Sequence, residues 1–335
     1  MNPAIQAVLT IVIGVGGCIG YFYLSNMVLD RVIFPAKGEH AGRNISRANM
    51  VRPWLFLMPA IVALGLYLAY PVFATLWLSL SRQLPGNTSE FVGFANFAKM
   101  MTEDKFWESL QNNILWLIVV PAMSTAFGLL AAQLTDRIWW GNIAKSLIFM
   151  PMAISFVGAA VIWKLIYDAR PVGQDQIGLL NAVYIFFGGT EAQSWLTIPF
   201  WNNFFLMAVL IWIQAGFAMV ILSAALRGIP EDTIEAAVID GANPFQIFFK
   251  IKVPQILGTI VVVWTTITIV VLKVFDIVLA MTNGQWETQV LANYMFDKLF
   301  RANDWGVGSA AAMVIMLLVT PILIWNVHNA RKEMR

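Results

Sequence analysis

The sequence is poor in the residues that soluble enzymes use most. Of 335 residues one is cysteine, Cys18, and two are histidine, His40 and His328, at opposite ends of the chain. A single cysteine excludes an internal disulfide framework and a cysteine-based metal site. No HExxH, GxxxxGK[ST] or GxSxG pattern occurs, so zinc-peptidase, nucleotide-loop and nucleophile-elbow chemistry find no support. Charge is scarce too: Asp, Glu, Lys and Arg make up 12% of the chain, against roughly 25% in an ordinary soluble domain. Hydrophobic residues reach 59%, more than the core of a water-soluble domain of this length can hide, and the implied solvent is lipid. The chain carries no engine of its own, so the energy for anything it moves enters from another chain.

A membrane-crossing helix needs about 20 mostly apolar residues. Stretches near 4–29, 54–81, 112–134, 146–167, 202–226, 257–281 and 307–327 qualify, which predicts an all-α integral membrane protein with about seven spans. Helix is forced, because hydrocarbon leaves each backbone amide to be satisfied within its own segment. A membrane β-barrel would alternate with period two, and runs such as Ile260–Val263 and Ala310–Val319 do not.

Arg31, Lys37, Arg43, Arg47 and Arg52 lie between the first two spans, a cytoplasmic signal under the positive-inside rule. That loop inside puts the N-terminus outside, and Arg137, Lys145, Arg227 to Lys252 and the tail Arg331, Lys332 and Arg335 inside. The C-terminus is then cytoplasmic, and the outer segments near 82–111 and 168–201 carry Glu90, Glu103, Asp104, Glu108, Asp168, Asp175 and Glu191. Their aromatics, Phe94, Phe97, Phe106 and Trp107 in one and Trp195, Phe200 and Trp201 in the other, suit either interfacial belts or a platform for an outer partner. The first span lacks a basic start and is followed by its positive charges, the pattern of an uncleaved anchor rather than a signal peptide. Val15-Gly16-Gly17-Cys18 only loosely echoes a lipoprotein cleavage box, and the Gly16/Gly20 pair suits either a partner helix or a lipid-facing one.

The informative stretch is the inner loop from Arg227 to Gln255. Pro230 suits the first turn of a helix, with Glu231 and Asp232 complementing its dipole. Glu235-Ala236-Ala237 combines helix propensity with a small face, and Gly241 permits a turn. Asn243 caps a second helix with Pro244 at its first position, and Pro254 is expected to stop it. Two short helices joined by a hinge suit a docking elbow; they also suit an ordinary loop that happens to be helical.

Glu235-Ala236-Ala237, Gly241, Ile251 and Val253-Pro254 match, in order and spacing, the EAA motif of ABC importer permeases, with valine where that family usually writes leucine. Over roughly residues 50–330 the chain resembles the carbohydrate-uptake branch, of maltose and glycerol-phosphate type, and most of all the alpha-glucoside permeases. The resemblance implies a type I importer fold of six core spans at 54–335, with the coupling loop at 227–256, and an extra helix and basic linker at 1–53. It implies a place in a bacterial inner membrane beside a second permease subunit, two ATPase subunits and a periplasmic solute-binding protein, with a sugar as substrate. ATP and magnesium would be held by the ATPase, leaving this chain without a cofactor or catalytic residue. Nucleic acid is not expected among the partners. Coupling contact falls to Glu235, Ala236, Ala237, Asp240 and Gly241, with Pro254 shaping the exit.

Polar groups inside spans are costly in hydrocarbon and suggest a pathway. Gln214, Thr265 and Thr268 are such groups, and the resemblance favours Gln214 and Thr268. Lys273 and Asp276, three apart on one expected helix face, are pathway candidates or an internal pair. Lys164 is either a pathway residue or a snorkelling one. Trp163 and Phe217 are candidate sugar platforms, or lipid contacts. Another solute (a polyol, glycerol phosphate or a sulfonated sugar) is the runner-up. An ATP-independent transporter would carry more intramembrane carboxylates than Asp276, and a membrane enzyme would need an acid–base or metal cluster.

Overall fold

The computed structural model describes residues 3–35, 37–38, 40–84, 88–136, 138–171 and 173–333, with side chains as far as residue 325. Arg137 and Arg335 lie outside the described residues, as do the side chains of His328, Arg331 and Lys332. The chain divides into two compact units, Met1–Ala74 and Thr75–Arg335.

In the first unit, α1 (Pro3–Val28) runs on into a π turn at Leu29–Ile33, and α2 (Ala41–Leu64) continues through a second π turn, Gly65–Ala69, into α3 (Tyr70–Ser79), within which the unit ends at Ala74. The basic residues Arg43, Arg47 and Arg52 therefore stand on helix, not on a loop. No residue of α1 is buried, as suits a helix whose solvent is lipid, and a Cβ built at Gly16 or Gly20 meets nothing within 4 Å. The α1 and α2 helices are pinned at one end. Arg52 binds Asp30 at 2.7 and 2.9 Å and Asn26 at 3.1 Å, Tyr21 donates to the Leu55 carbonyl, and Phe22 stacks on Phe56 at 5.1 Å.

The second unit begins within α3 and continues into a hairpin, β1 (Ser81–Leu84) against β2 (Thr88–Phe91), antiparallel with Ser81 opposite Phe91. The helices α4 (Ala95–Met101), α5 (Asp104–Thr135), α6 (Gly141–Phe149), α7 (Phe156–Ile166), α8 (Leu179–Phe186) and α9 (Trp201–Arg227) follow. Next come α10 (Glu231–Ile239), α11 (Pro244–Gln246), α12 (Val253–Gln255), α13 (Leu257–Leu272), α14 (Asp276–Met281), α15 (Leu291–Phe296) and α16 (Trp305–Glu333). The core lies along α5 and α9, where Trp116, Val120, Leu206, Leu210, Ile213, Met219 and Leu222 are buried with Val263 and Ile267 of α13. The two backbones nearly touch at Gly128, whose missing Cβ would sit 2.4 Å from that of Ala218. Small residues at such crossings replace the hydrophobic drive that lipid cannot supply between helices.

Among the described residues five helices are long and apolar enough to cross a membrane, and two bent pairs raise the number to as many as seven. One bent pair falls on the expected span at 146–167 and is broken in its middle: Gly141–Ala153 and Phe156–Ile166 meet at 107°. Pro151 lies in a 3₁₀ turn there, Ile154 is extended, and Ser155 caps α7 by accepting from the Gly158 N–H at 3.1 Å. The other lies at the start of α13, and at its far end the expected span at 257–281 stops short, at Leu272. Lys273 leaves helical geometry at φ −113° and Asp276 begins a new helix, so the two do not share a helix face and form no ion pair. Carried on to residue 281, the helix would have taken both charges in among Val274, Ile277 and Val278, which are buried; the break leaves Lys273 at the surface.

Candidate functional site

The loop 228–256 folds as an elbow. Pro230 is the N-cap of α10, one position earlier than expected, and Glu231 and Asp232 fill the first turn. The far end of α10 is a Schellman turn: the Gly241 N–H donates to Val238 and the Ala242 N–H to Ala237, each at 3.0 Å. Gly241 has φ +79°, the left-handed conformation that this ending requires and that only glycine adopts freely. Asn243 and Gln246 then cap α11 reciprocally, each side-chain oxygen accepting the other's backbone N–H at 2.9 Å, the capping box that opens a helix.

Pro254 does not stop the second arm. The helix passes through a π turn at Ile247–Lys252 and on to Gln255, then breaks at Ile256, where the next segment turns away by 71°. The π turn accounts for this: the Val253 N–H bonds Phe248, five residues back, and the widened turn makes room for the proline ring.

The elbow has two faces. Ile229, Ala237, Ile247 and Ile256 are buried, while Lys252 reaches Gln133 on α5 at 3.2 Å. Outward stand Glu235, Ala236, Asp240 and Gly241, together with Val238, Ile239 (85% exposed), Phe245 (77%) and Phe249. An apolar patch presented by two short capped helices is suited to receive a partner.

At the root of the elbow is a polar knot that the sequence reading missed. Asp136, just past α5, binds Lys145 of α6, accepts from Ser223 Oγ at 3.0 Å and from Arg227 Nε at 3.1 Å; Lys145 also donates to Ser223 at 2.7 Å. Burial alone would raise the carboxyl's pKa, but Lys145, Ser223 and Arg227 outweigh it and hold Asp136 below its ordinary value.

Six of the eight candidate pathway residues lie on three helices, α9 touching each of the other two: Trp163 and Lys164 on α7, Gln214 and Phe217 on α9, Thr265 and Thr268 on α13; Lys273 follows α13 and Asp276 opens α14. Gln214 is buried. Trp163 packs edge-on against Trp212 at 5.8 Å, and its buried indole N–H has no acceptor among the described residues. Thr265 and Thr268 donate to carbonyls of their own helix, Val261 at 2.9 Å and Trp264 at 2.8 Å. Lys164 lies 3.5 Å from the Ala280 carbonyl.

A second feature missed in the sequence lies at the opposite end of α9, roughly 40 Å away at 1.5 Å per residue. Two asparagine doublets, Asn112-Asn113 on α5 and Asn202-Asn203 on α9, are buried side by side and clamp the backbone of 286–291. The repeated Asn-Asn at the start of two apolar spans was the available signal.

Residues 124–334 match the model of a family described as "Binding-protein-dependent transport system inner membrane component". The chain is 66% identical to the alpha-glucoside transport system permease protein AglF of Rhizobium meliloti, over 99% of each chain. It is 45% identical to the osmoprotective compounds uptake permease protein GgtC of Synechocystis, over 83% of this chain and 99% of that one. In fold it is similar to a chain of a bacterial ABC transporter involved in the import of the acidic polysaccharide alginate, with a TM-score of 0.72 at 20% identity over 89% of this chain and all of that one. The chain belongs to the family of inner membrane components of binding-protein-dependent transport systems, the permease subunits of ATP-binding cassette importers.

Proposed function

We propose that this subunit forms half of an import pathway for an alpha-glucoside or a closely related sugar, with a second, different permease subunit as the other half. The observation that carries the substrate class is the 66% identity to an alpha-glucoside permease along 99% of both chains. ATP and magnesium are held by two separate ATPase subunits, and a periplasmic solute-binding protein delivers the sugar. The N-terminus lies outside and the C-terminus and elbow inside, as the basic residues favour. Residues 54–335 are the six-span core, and 1–53 add a helix to it.

The elbow receives one ATPase subunit. Glu235, Ala236, Ala237, Asp240 and Gly241 lie at or beside its contact, and Pro254 shapes the arm that carries force into α13. The exposed Val238, Ile239, Phe245 and Phe249 support this, because apolar side chains on a capped helix pair gain by being covered. Closure of the ATPase dimer draws the elbows together and opens the pore outward. Gln214, Thr268, Thr265, Trp163 and Phe217 line the sugar's route, with Lys164, Lys273 and Asp276 nearer its ends.

The test is reconstitution of the four-subunit complex in proteoliposomes with its binding protein and ATP, assayed with radiolabelled maltose, trehalose and sucrose. ATP-dependent uptake of at least one is expected, and uptake of none, by an assembled complex that hydrolyses ATP, counts against the sugar. GgtC, named for the uptake of osmoprotective compounds, supports a second reading, a polyol, and the same vesicles assayed with a radiolabelled polyol decide between them.

A further inference from the structure

The loop joining α14 to α15 has an unusual backbone. Asn283, Gly284, Trp286 and Glu287 all have positive φ, at 55°, 71°, 54° and 62°. For a residue with a side chain this conformation is costly, and for tryptophan and glutamate it persists only where the surroundings impose it. Here they do. The Asn202 amide donates to the Trp286 carbonyl, Asn203 to that of Glu287 at 3.2 Å, and Asn112 to those of Glu287 and Gln289 at 2.9 and 2.8 Å. Asn113 accepts the Leu291 N–H at 2.8 Å, and Glu108 accepts that of Gln289 at 3.1 Å. A pair of hydroxyls, Thr282 and Thr288, closes the base of the loop at 2.6 Å. Glycine suits position 284 twice over: φ is +71°, and a Cβ there would lie 2.0 Å from Gln289 Oε1 unless that side chain moved.

The buried asparagines bond only the backbone of the tip and leave its side chains unengaged. Gln285, Trp286 and Glu287 are the exposed residues between buried Gly284 and buried Thr288, and Trp286 is 46% exposed. A rigid frame built from two core helices to hold an indole, a carboxylate and an amide outward is a ligand-contacting arrangement. An indole face covers the apolar side of a sugar ring, and carboxylate and amide oxygens accept from its hydroxyls. Three residues offer far less surface than the roughly 800 Å² that each partner contributes to a standard protein interface, which favours a small ligand over a docked protein.

We propose that Trp286 and Glu287 are the first residues of this subunit to touch the incoming sugar, Trp286 by stacking and Glu287 by accepting hydroxyl hydrogen bonds that discriminate between sugars. This rests on the carbohydrate reading above. The test uses the whole complex in proteoliposomes, with Trp286→Ala, Trp286→Phe and Glu287→Gln, assayed for uptake of maltose, trehalose and sucrose and for apparent affinity toward the loaded binding protein. Trp286→Ala is expected to lower maximal uptake about tenfold and Trp286→Phe to retain most of it. Glu287→Gln is expected to change the ratio of uptake among the three sugars by about threefold or more, with affinity for the binding protein unchanged in all three. Uptake and selectivity unaltered in assembled variants would overturn the proposal. So would a loss explained by weaker capture of the binding protein at constant selectivity, which would make the tip a protein contact. A wild-type complex that takes up none of the sugars removes the carbohydrate reading itself, whereas a wild type that imports them alongside indifferent variants removes only the role of the tip.

Discussion

Arg227, the last residue of α9, donates to the carboxylate of Asp136, just beyond the end of α5, at 3.1 Å. The two helices along which the core lies are thereby joined one residue before the elbow begins, and Lys145 of α6 enters the same knot. Asp136→Asn keeps the shape but removes the charge that Lys145 and Ser223 share. A loss of about 1–3 kcal/mol is expected, because the Lys145 ammonium, 13% exposed, is left facing a neutral amide. Thermal unfolding of the purified complex measures it. A Tm equal to wild type would mean that the knot contributes nothing.

The same knot sets a pH dependence. Desolvation pushes the Asp136 carboxyl upward, but Lys145, Ser223 and Arg227 hold it below its ordinary 3.8. A carboxyl lowered on folding stabilises the folded state above its unfolded pKa, and that contribution disappears as pH falls through the folded value. The Tm gap between wild type and Asp136→Asn is expected to be constant from neutral pH down to about 5 and to narrow below about 4. A gap that widens on acidification would reverse the sign of the argument.

Much of this architecture was legible because lipid leaves few options: long apolar runs must be helices, and Pro230, Gly241 and Asn243 punctuate the elbow as their backbone chemistry dictates. What was not legible depends on contacts far apart in sequence. The break at Lys273 answers to burial of Val274 and Ile277, which periodicity cannot distinguish from a continuing helix. Pro254 read as a stop because the π turn ahead of it leaves no mark in composition. Asp136, Lys145, Ser223 and Arg227 looked like unrelated polar residues at the ends of separate spans, and only the packing of α5, α6 and α9 brings them together.

Gly241 is expected to be intolerant of substitution, in two grades. Gly241→Ala retains the N–H that bonds Val238 but takes a side chain to φ +79°, at about 1–2 kcal/mol of local strain. Gly241→Pro removes that N–H and fixes φ near −65°, so the Schellman turn cannot form. Since Gly241 itself is exposed and a Cβ there meets nothing within 4 Å, the subunit should still fold and assemble. Solute-stimulated ATP hydrolysis and uptake should fall modestly in the alanine variant and be lost in the proline variant. Full coupling in Gly241→Pro would show that the hinge carries no force.

The outward face of the elbow allows a separate test, because Ile239 touches little within the subunit. At 85% exposure its side chain contributes little to the fold, so Ile239→Glu should leave the unfolding free energy of the isolated permease pair within about 0.5 kcal/mol of wild type. If an ATPase covers Val238, Ile239, Phe245 and Phe249, the same change buries an unpaired carboxylate at the contact and should weaken ATPase binding at least tenfold, about 1.4 kcal/mol. Titration of the permease pair with purified ATPase measures this, and Ile239→Leu serves as the control that keeps the apolar surface. Loss of affinity in the glutamate variant alone, without loss of stability, separates a docking role from a packing role. Equal affinity in all three would place the ATPase elsewhere on the elbow.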